Sequence, residues 1–268
     1  ILGKERKVER ITMSSRITEK DSLVLVGGAW HGLGKVVGDL LTASEALVAS
    51  GLSWKVVEAP VYDSEGKALE GYRMIKREDT GEVFNIVGRN YHPVQNQECF
   101  TLFDEVCGTG QAKYEVAGSL QGGRKVWILA RLPFDFEAVK GDEVRSYLLL
   151  STSHDGSLAF QMYKTPIRVV CWNTLSASLS QAKRTNERIA RFKHTVSFRN
   201  RIGEAQVILA EARAYFDQFK ERSQALAKKQ VSDLELDDFL ARLFLTEGKK
   251  VDEISSRTRN AQAEVKRL

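Results

Sequence analysis

Lys183, Arg184, Arg188, Arg191, Lys193, Arg199 and Arg201 all fall within residues 183–201, where Glu187 is the only acid. Cations at this density suit a polyanion, because each neutralised phosphate releases a counterion. Phe192 and Phe198 lie among them and offer rings on which a base can stack. The chemistry expected here is therefore phosphate binding with base contact. The competing reading is a solvated helix face beside core phenylalanines. Arg124 and Lys125 follow Gly122-Gly123 and form a second basic pair, which the tip of a hairpin would project.

Catalytic chemistry has thinner support. His154-Asp155 suits a metal or acid–base site, with His31 and His92 far away in sequence. Against this stands a polar hairpin turn shaped by Asp155-Gly156. No HExxH, CxxC pair or nucleophile elbow accompanies the histidines, so no catalytic residue, metal site or cofactor is assigned. Cys171 sits in an apolar run, a poor place to hold a thiolate. The glycine-rich GGAWHGLGK fails as a phosphate loop: Gly28 and Gly34 are one residue too far apart, and Val36 follows Lys35. It reads instead as a glycine-bounded plug with Trp30 in the core.

These residues need elements to hold them. Ile167–Trp172 reads as a strand, with Pro166 at its start or edge, and Asn173 as the cap of a helix. At about 100° per residue that helix places Leu175, Leu179, Ala182 and Ile189 in one sector, with Arg184, Arg188 and Arg191 opposite. Thr42 and Glu45 form a capping box before a helix that ends near Gly51. Residues 54–62, 72–79 and 82–88 read as a meander, and Phe100, Phe103 and Val106 mark a helix stopping at Gly108. A hairpin from residues 112–132 and a strand pair around SHDGS follow. After Arg201, residues Ile202, Ala205, Leu209, Ala212, Phe216, Phe219, Ser223 and Leu226 keep a 3,4 alternation. Either self-association or packing on the preceding core would bury that seam. Ser232 and Glu235 open another helix. The expected fold is α+β: a meandering antiparallel sheet with inserted helices, a β-β-β-α arrangement as its candidate core, and C-terminal helices. The expected organisation is a flexible arm over 1–22, a core over 23–201 and a helical region over 202–268.

A net charge of +5, a pI near 9.0 and 43% hydrophobic residues fit a globular chain open to an anionic partner. Cys99, Cys107 and Cys171 lack CxxC spacing, and a reducing cytoplasm is the expected setting. No apolar run reaches the ~20 residues of a membrane span. AWHGLG (29–34), YHPVQNQECF (91–100), AGSLQGGRKVWILARL (117–132), SYLLLSTSHDG (146–156) and TPIRVVCWNTL (165–175) resemble, in order, the phage/plasmid-like protein family. The resemblance implies the biology of a mobile element in a bacterial cell and supplies no known activity. The function expected is single-stranded nucleic-acid binding, DNA or RNA, with strand annealing or recombination as its most concrete form and a homo-oligomer as the working state. A metal-dependent hydrolase or nuclease using His154 and Asp155, or a scaffold for a phage or host protein, are the alternatives.

Overall fold

The computed structural model describes residues 17–18, 20–29, 31–108, 113–185, 187–195, 202–244, 248 and 250–267. The chain opens with β1 (Leu23–Val26) and β2 (Lys35–Val37), then α1 (Ala43–Ala49), β3 (Val56–Tyr62), β4 (Ala68–Arg77), β5 (Val83–Gly88) and α2 (Asn96–Cys107). Next come β6 (Lys113–Leu120), β7 (Lys125–Arg131), β8 (Phe136–Glu137), β9 (Glu143–Val144), β10 (Tyr147–Ser153) and β11 (Phe160–Thr165). The last strand is β12 (Ala190–Phe192), preceded by α3 (Trp172–Arg184) and followed by α4 (Ile202–Ala210), α5 (Ala212–Ala227), α6 (Asp233–Leu243) and α7 (Ser256–Arg267). The fold is mixed α+β. Residues group into two compact units, Ile1–Lys220 and Glu221–Leu268. Among the described residues no helix is long and apolar enough to cross a membrane.

Seven strands form the main sheet, in the order β12-β11-β10-β7-β6-β1-β2, while β3-β4-β5 and β8-β9 make smaller sheets. β6, β7, β10 and β11 are buried along nearly their whole length, because the main sheet is covered on both faces. Val126, Ile128 and Ala130 alternate along β7 with Trp127 and Leu129, and the two sets belong to separate clusters on opposite faces. The first face carries α2, α4 and the β3-β4-β5 sheet. The second carries Leu175 and Ala182 of α3. Thus β7, β10 and β11 run as antiparallel neighbours and lead into α3.

β1 and β2 pair in parallel, the one departure from an antiparallel main sheet. Parallel neighbours need a crossover, and here residues 27–34 make an unusually short one. Glycines permit it. Gly34 has φ 96°, and a Cβ there would stand 2.8 Å from both Leu23 and Leu25 side-chain atoms. Within the plug His31 is buried: Nε2–H donates to the Val170 carbonyl (3.2 Å) and Nδ1 accepts from the Leu33 amide (3.1 Å). Trp30 lies outside the described residues.

Two expected elements are corrected. The chain leaves the sheet at Thr165, so Ile167–Cys171 is not a strand. Val169, Val170 and Cys171 are apolar because they bury against the second face, where the Val169 carbonyl accepts from Trp127 Nε1 at 3.1 Å. Cys171, not Asn173, caps α3, with Thr174 Oγ1 accepting from the Cys171 amide at 3.0 Å. That helix ends at Arg184, where Thr185 Oγ1 turns back to the Gln181 carbonyl (3.0 Å). Ala190 and Phe192 are buried and Arg191 is exposed, a period of two that belongs to a strand rather than to a continuing helix.

The C-terminal seam is used within the chain from Ala205 to Phe219, while Leu226 is 71% exposed. Ala205, Ile208, Ala212 and Phe216 join the first-face cluster, and Phe219 lies 6.0 Å from Phe136 between ring centroids. The described end of the expected arm is tied to β6: the Ser22 carbonyl accepts from the Ser119 amide (2.8 Å), and Asp21 Oδ1 accepts from the Gly122 amide (2.8 Å).

Candidate nucleic-acid interface

Because α3 stops at Arg184, Arg184, Arg188 and Arg191 do not share one helix face, as the spacing alone suggests. The structure distributes the cations over three successive pieces of one sheet edge. Lys183 and Arg184 occupy the last turn of α3, where carbonyls favour positive charge. Arg188 stands in the link, Arg191 on edge strand β12, and Lys193 just beyond it, all exposed. Lys183 and Arg191 line a cavity of about 380 Å³ together with Ala182, Glu187 and Ile189.

The edge is held from beneath. Phe192 stacks on Phe160 with centroids 5.8 Å apart, so it is core and offers no surface to a base. Arg191 donates to Gln161 Oε1 at 3.3 Å. Lys164, almost fully buried, ion-pairs with Glu187 and reaches Glu211 at 3.6 Å, while Glu211 also meets Arg188 at 3.4 Å. Phe198, Arg199 and Arg201 lie outside the described residues.

Arg124 and Lys125 are not projected. The β3-β4-β5 sheet clamps the hairpin tip, with Arg77 reaching the Gly122 carbonyl (3.3 Å) and lying over Trp54 (4.5 Å). Arg124 donates to the carbonyls of Phe84 and of Val83 (2.8 Å) and approaches Glu82 at 3.7 Å. Lys125 Nζ donates to Gln121 Oε1 (3.1 Å) and lies 3.6 Å from Asp155. Arg124 thus ties the small sheet to the main one, whereas the partners of Lys125 lie in the turns beside β7 and β10.

His154 is also inside. It follows β10 and packs against Trp54 (5.2 Å) and Phe84 (5.8 Å), while Asp155 and Ser153 shape the turn by accepting from the amides of Ser157 (2.9 Å) and Leu158 (2.8 Å). Asn96 Nδ2 donates to the Leu52 carbonyl (3.0 Å), which leaves Asn96 Oδ1 to accept from His154 Nε2–H at 2.9 Å. His154 Nδ1 and Trp54 Nε1 have no hydrogen-bond partner among the described residues. Burial lowers the His154 pKa to about 3. His194, buried nearby, bonds Tyr91 Oη (2.7 Å) and Thr152 Oγ1 (3.1 Å), and burial lowers its pKa to about 4. Among the described residues no three His, Cys, Asp or Glu side chains converge to hold a metal ion.

A second polar centre escaped the reading of the sequence. Glu115, its side chain 1% exposed, accepts from Arg168 Nε (2.6 Å), Tyr147 Oη (3.0 Å) and Arg131 (3.2 Å), with Arg145 at 3.7 Å. Arg168 also donates to the Val26 and Gly28 carbonyls, fastening the glycine crossover to the sheet. The available signal was a lone acid within KYEVAGSL, whose other strand positions are mostly apolar or small.

No curated protein and no solved structure matches the chain significantly. A family model described as a domain of unknown function, DUF932, matches residues 83–268, which takes in β5 through α7 and therefore the whole cationic edge. With well over half of its residues matched, the chain belongs to the DUF932 family.

Proposed function

We propose that this chain binds single-stranded nucleic acid along the β12 edge, as a strand-annealing protein of a phage or plasmid. The observation that carries the reading is that Lys183 and Arg191 line a cavity of about 380 Å³ at the β12 edge, with Arg184, Arg188 and Lys193 exposed in the same stretch of chain. Lys183 and Arg191 supply phosphate contacts, and Ala182 and Ile189 an apolar wall for sugar or base. With Phe192 in the core, contact is dominated by phosphates, and bases remain available for pairing. Two supports are weaker: the resemblance to phage/plasmid-like proteins, and the passage from β7, β10 and β11 into α3, a layout shared in outline with annealing proteins. The proposed chemistry requires no nucleotide hydrolysis.

The test is a fluorescence titration of single- and double-stranded oligonucleotides with the unmodified chain and with Lys183→Ala/Arg188→Ala/Arg191→Ala. Losing three phosphate contacts should reduce the magnitude of the log-affinity versus log-salt slope by about 2, at roughly 0.7 per contact on a single strand. The loss should be similar for different base sequences, since phosphates carry no sequence information. A triple variant with unchanged circular dichroism and an unchanged slope, or an unmodified chain that binds no oligonucleotide, overturns the reading.

A further inference from the structure

The unit Glu221–Leu268 leaves part of an amphipathic helix uncovered. Ser232 fixes the start of α6, accepting from the Glu235 amide (3.3 Å) while Glu235 accepts from the Ser232 amide (3.0 Å). Leu236, Phe239, Leu240 and Leu243 then fall on one broad sector of the helix. α7 covers one side of that sector: Leu240 is 1% exposed, its carbonyl accepts from Gln262 Nε2 (3.4 Å), and Asp237 pairs with Lys266. The other side stays open. Phe239 is 56% exposed and Leu243, one turn on, 57%.

We propose that two copies of the chain associate through this face, α6 against α6, antiparallel about a two-fold axis at Phe239. The occupant follows from the order of charges around that residue. In an antiparallel pair centred on Phe239, a residue three or four before the centre faces a residue three or four after it on the other copy. Glu235 therefore comes beside Arg242 of the second copy, and the two-fold axis repeats the contact. Phe239 meets its own equivalent, and Leu243 meets the Leu236 turn. Arg242 already holds Asp238 at 3.0 Å, so the junction becomes a group of three charges. A foreign helix of one charge sign would satisfy Glu235 or Arg242 and oppose the other. The seam of α4 and α5 is occupied within the chain from Ala205 to Phe219, so this contact is separate from it, and it is independent of nucleic-acid binding.

A single helix face is smaller than the roughly 800 Å² per partner of a standard complex, so a dimer dissociating in the micromolar range is expected. Sedimentation equilibrium of the full chain from ~1 to ~200 μM brackets that range, and the mean mass should rise from 30.1 kDa toward twice that value. Phe239→Asp should hold it at the monomer. Arg242→Glu should weaken association about tenfold by placing like charges together at two symmetric contacts, and adding Glu235→Gln, which keeps the capping hydrogen bond and removes the repulsion, should recover most of it. Oxidation with copper phenanthroline distinguishes the geometry: Phe239→Cys should cross-link rapidly across the axis, whereas Leu234→Cys, 82% exposed on another side of the helix, should not. A monomer at every concentration overturns the proposal. So does equal cross-linking at both positions, or failure of Glu235→Gln to recover association.

Discussion

Acid should destabilise this protein above the range in which its carboxylates titrate, and the main cause should be two imidazoles. His154 and His194 are buried neutral beside each other, with pKa values lowered to about 3 and about 4. In the unfolded chain both return to about 6.5. Below that value the unfolded state takes up two protons that the folded state refuses, so stability is full above pH 6.5. It falls as pH drops from 6.5 toward 4. At pH 5 each imidazole lies 1.5 units below its unfolded pKa, which costs about 2 kcal/mol, or about 4 kcal/mol for the pair. Total stabilities run to about 5–15 kcal/mol, so the effect is large, and it should lower the melting temperature by about 10 °C. Urea unfolding at pH 7.5 and pH 5.0 would measure it. Carboxylates contribute little in that window, because their unfolded pKa values lie near 4. His154→Gln and His194→Gln will destabilise at every pH, but each should remove about half of the difference between the two pH values. A urea midpoint equal at both pH values, or a difference undiminished in the double variant, would refute the reasoning.

Two further expectations concern packing. Glu115→Ala leaves Arg131, Arg145 and Arg168 facing a buried space without their shared carboxylate and should cost about 3–5 kcal/mol in urea unfolding, with Glu115→Gln costing less. Equal losses would show that charge is not what the site uses. Gly118→Ala would place a methyl 2.7 Å from the Ser22 carbonyl and 2.9 Å from the Trp127 ring, for a loss of about 1–3 kcal/mol. An unchanged melting temperature would refute that crowding.

The elements legible in the sequence are those whose signal is local. Thr42 and Glu45, Gln121-Gly122-Gly123, and Ser232 with Glu235 all mark boundaries near where the structure has them, because a cap or a turn is made by residues a few positions apart. The errors arise where burial comes from somewhere else. Val169–Cys171 looks like a strand because it is apolar, yet its partners are Trp127 and α3 rather than a neighbouring ladder. Ala190–Phe192 is too short for its alternation to outweigh the helical spacing around it. Arg124 looks free because the β3-β4-β5 sheet that clamps it lies some forty positions earlier in the chain, and Lys125 because Asp155 lies some thirty positions later. The Glu115 centre draws on β6, β7, β10 and the link after β11, so no spacing rule announces it. The clustering of Lys183, Arg184, Arg188, Arg191 and Lys193 survives the loss of the helix that was expected to arrange it, because helix end, link and edge strand remain adjacent.

The pairing of β1 with β6 governs how this chain can come into being. Leu23 aligns with Gly118 and Leu25 with Val116, so β1 must wait for a partner made more than ninety residues later. During translation Leu23 and Leu25 leave the ribosome with no sheet to enter, and the main sheet is complete only after Phe192 has been made and β12 has joined β11. Such long-range closure makes folding slower than that of a fold built from local contacts. It also makes the matched stretch a poor place to cut. A chain begun at residue 83 would deprive β5 of β4, strip β1 from β6, and display an open strand edge to every other nascent copy on the same message.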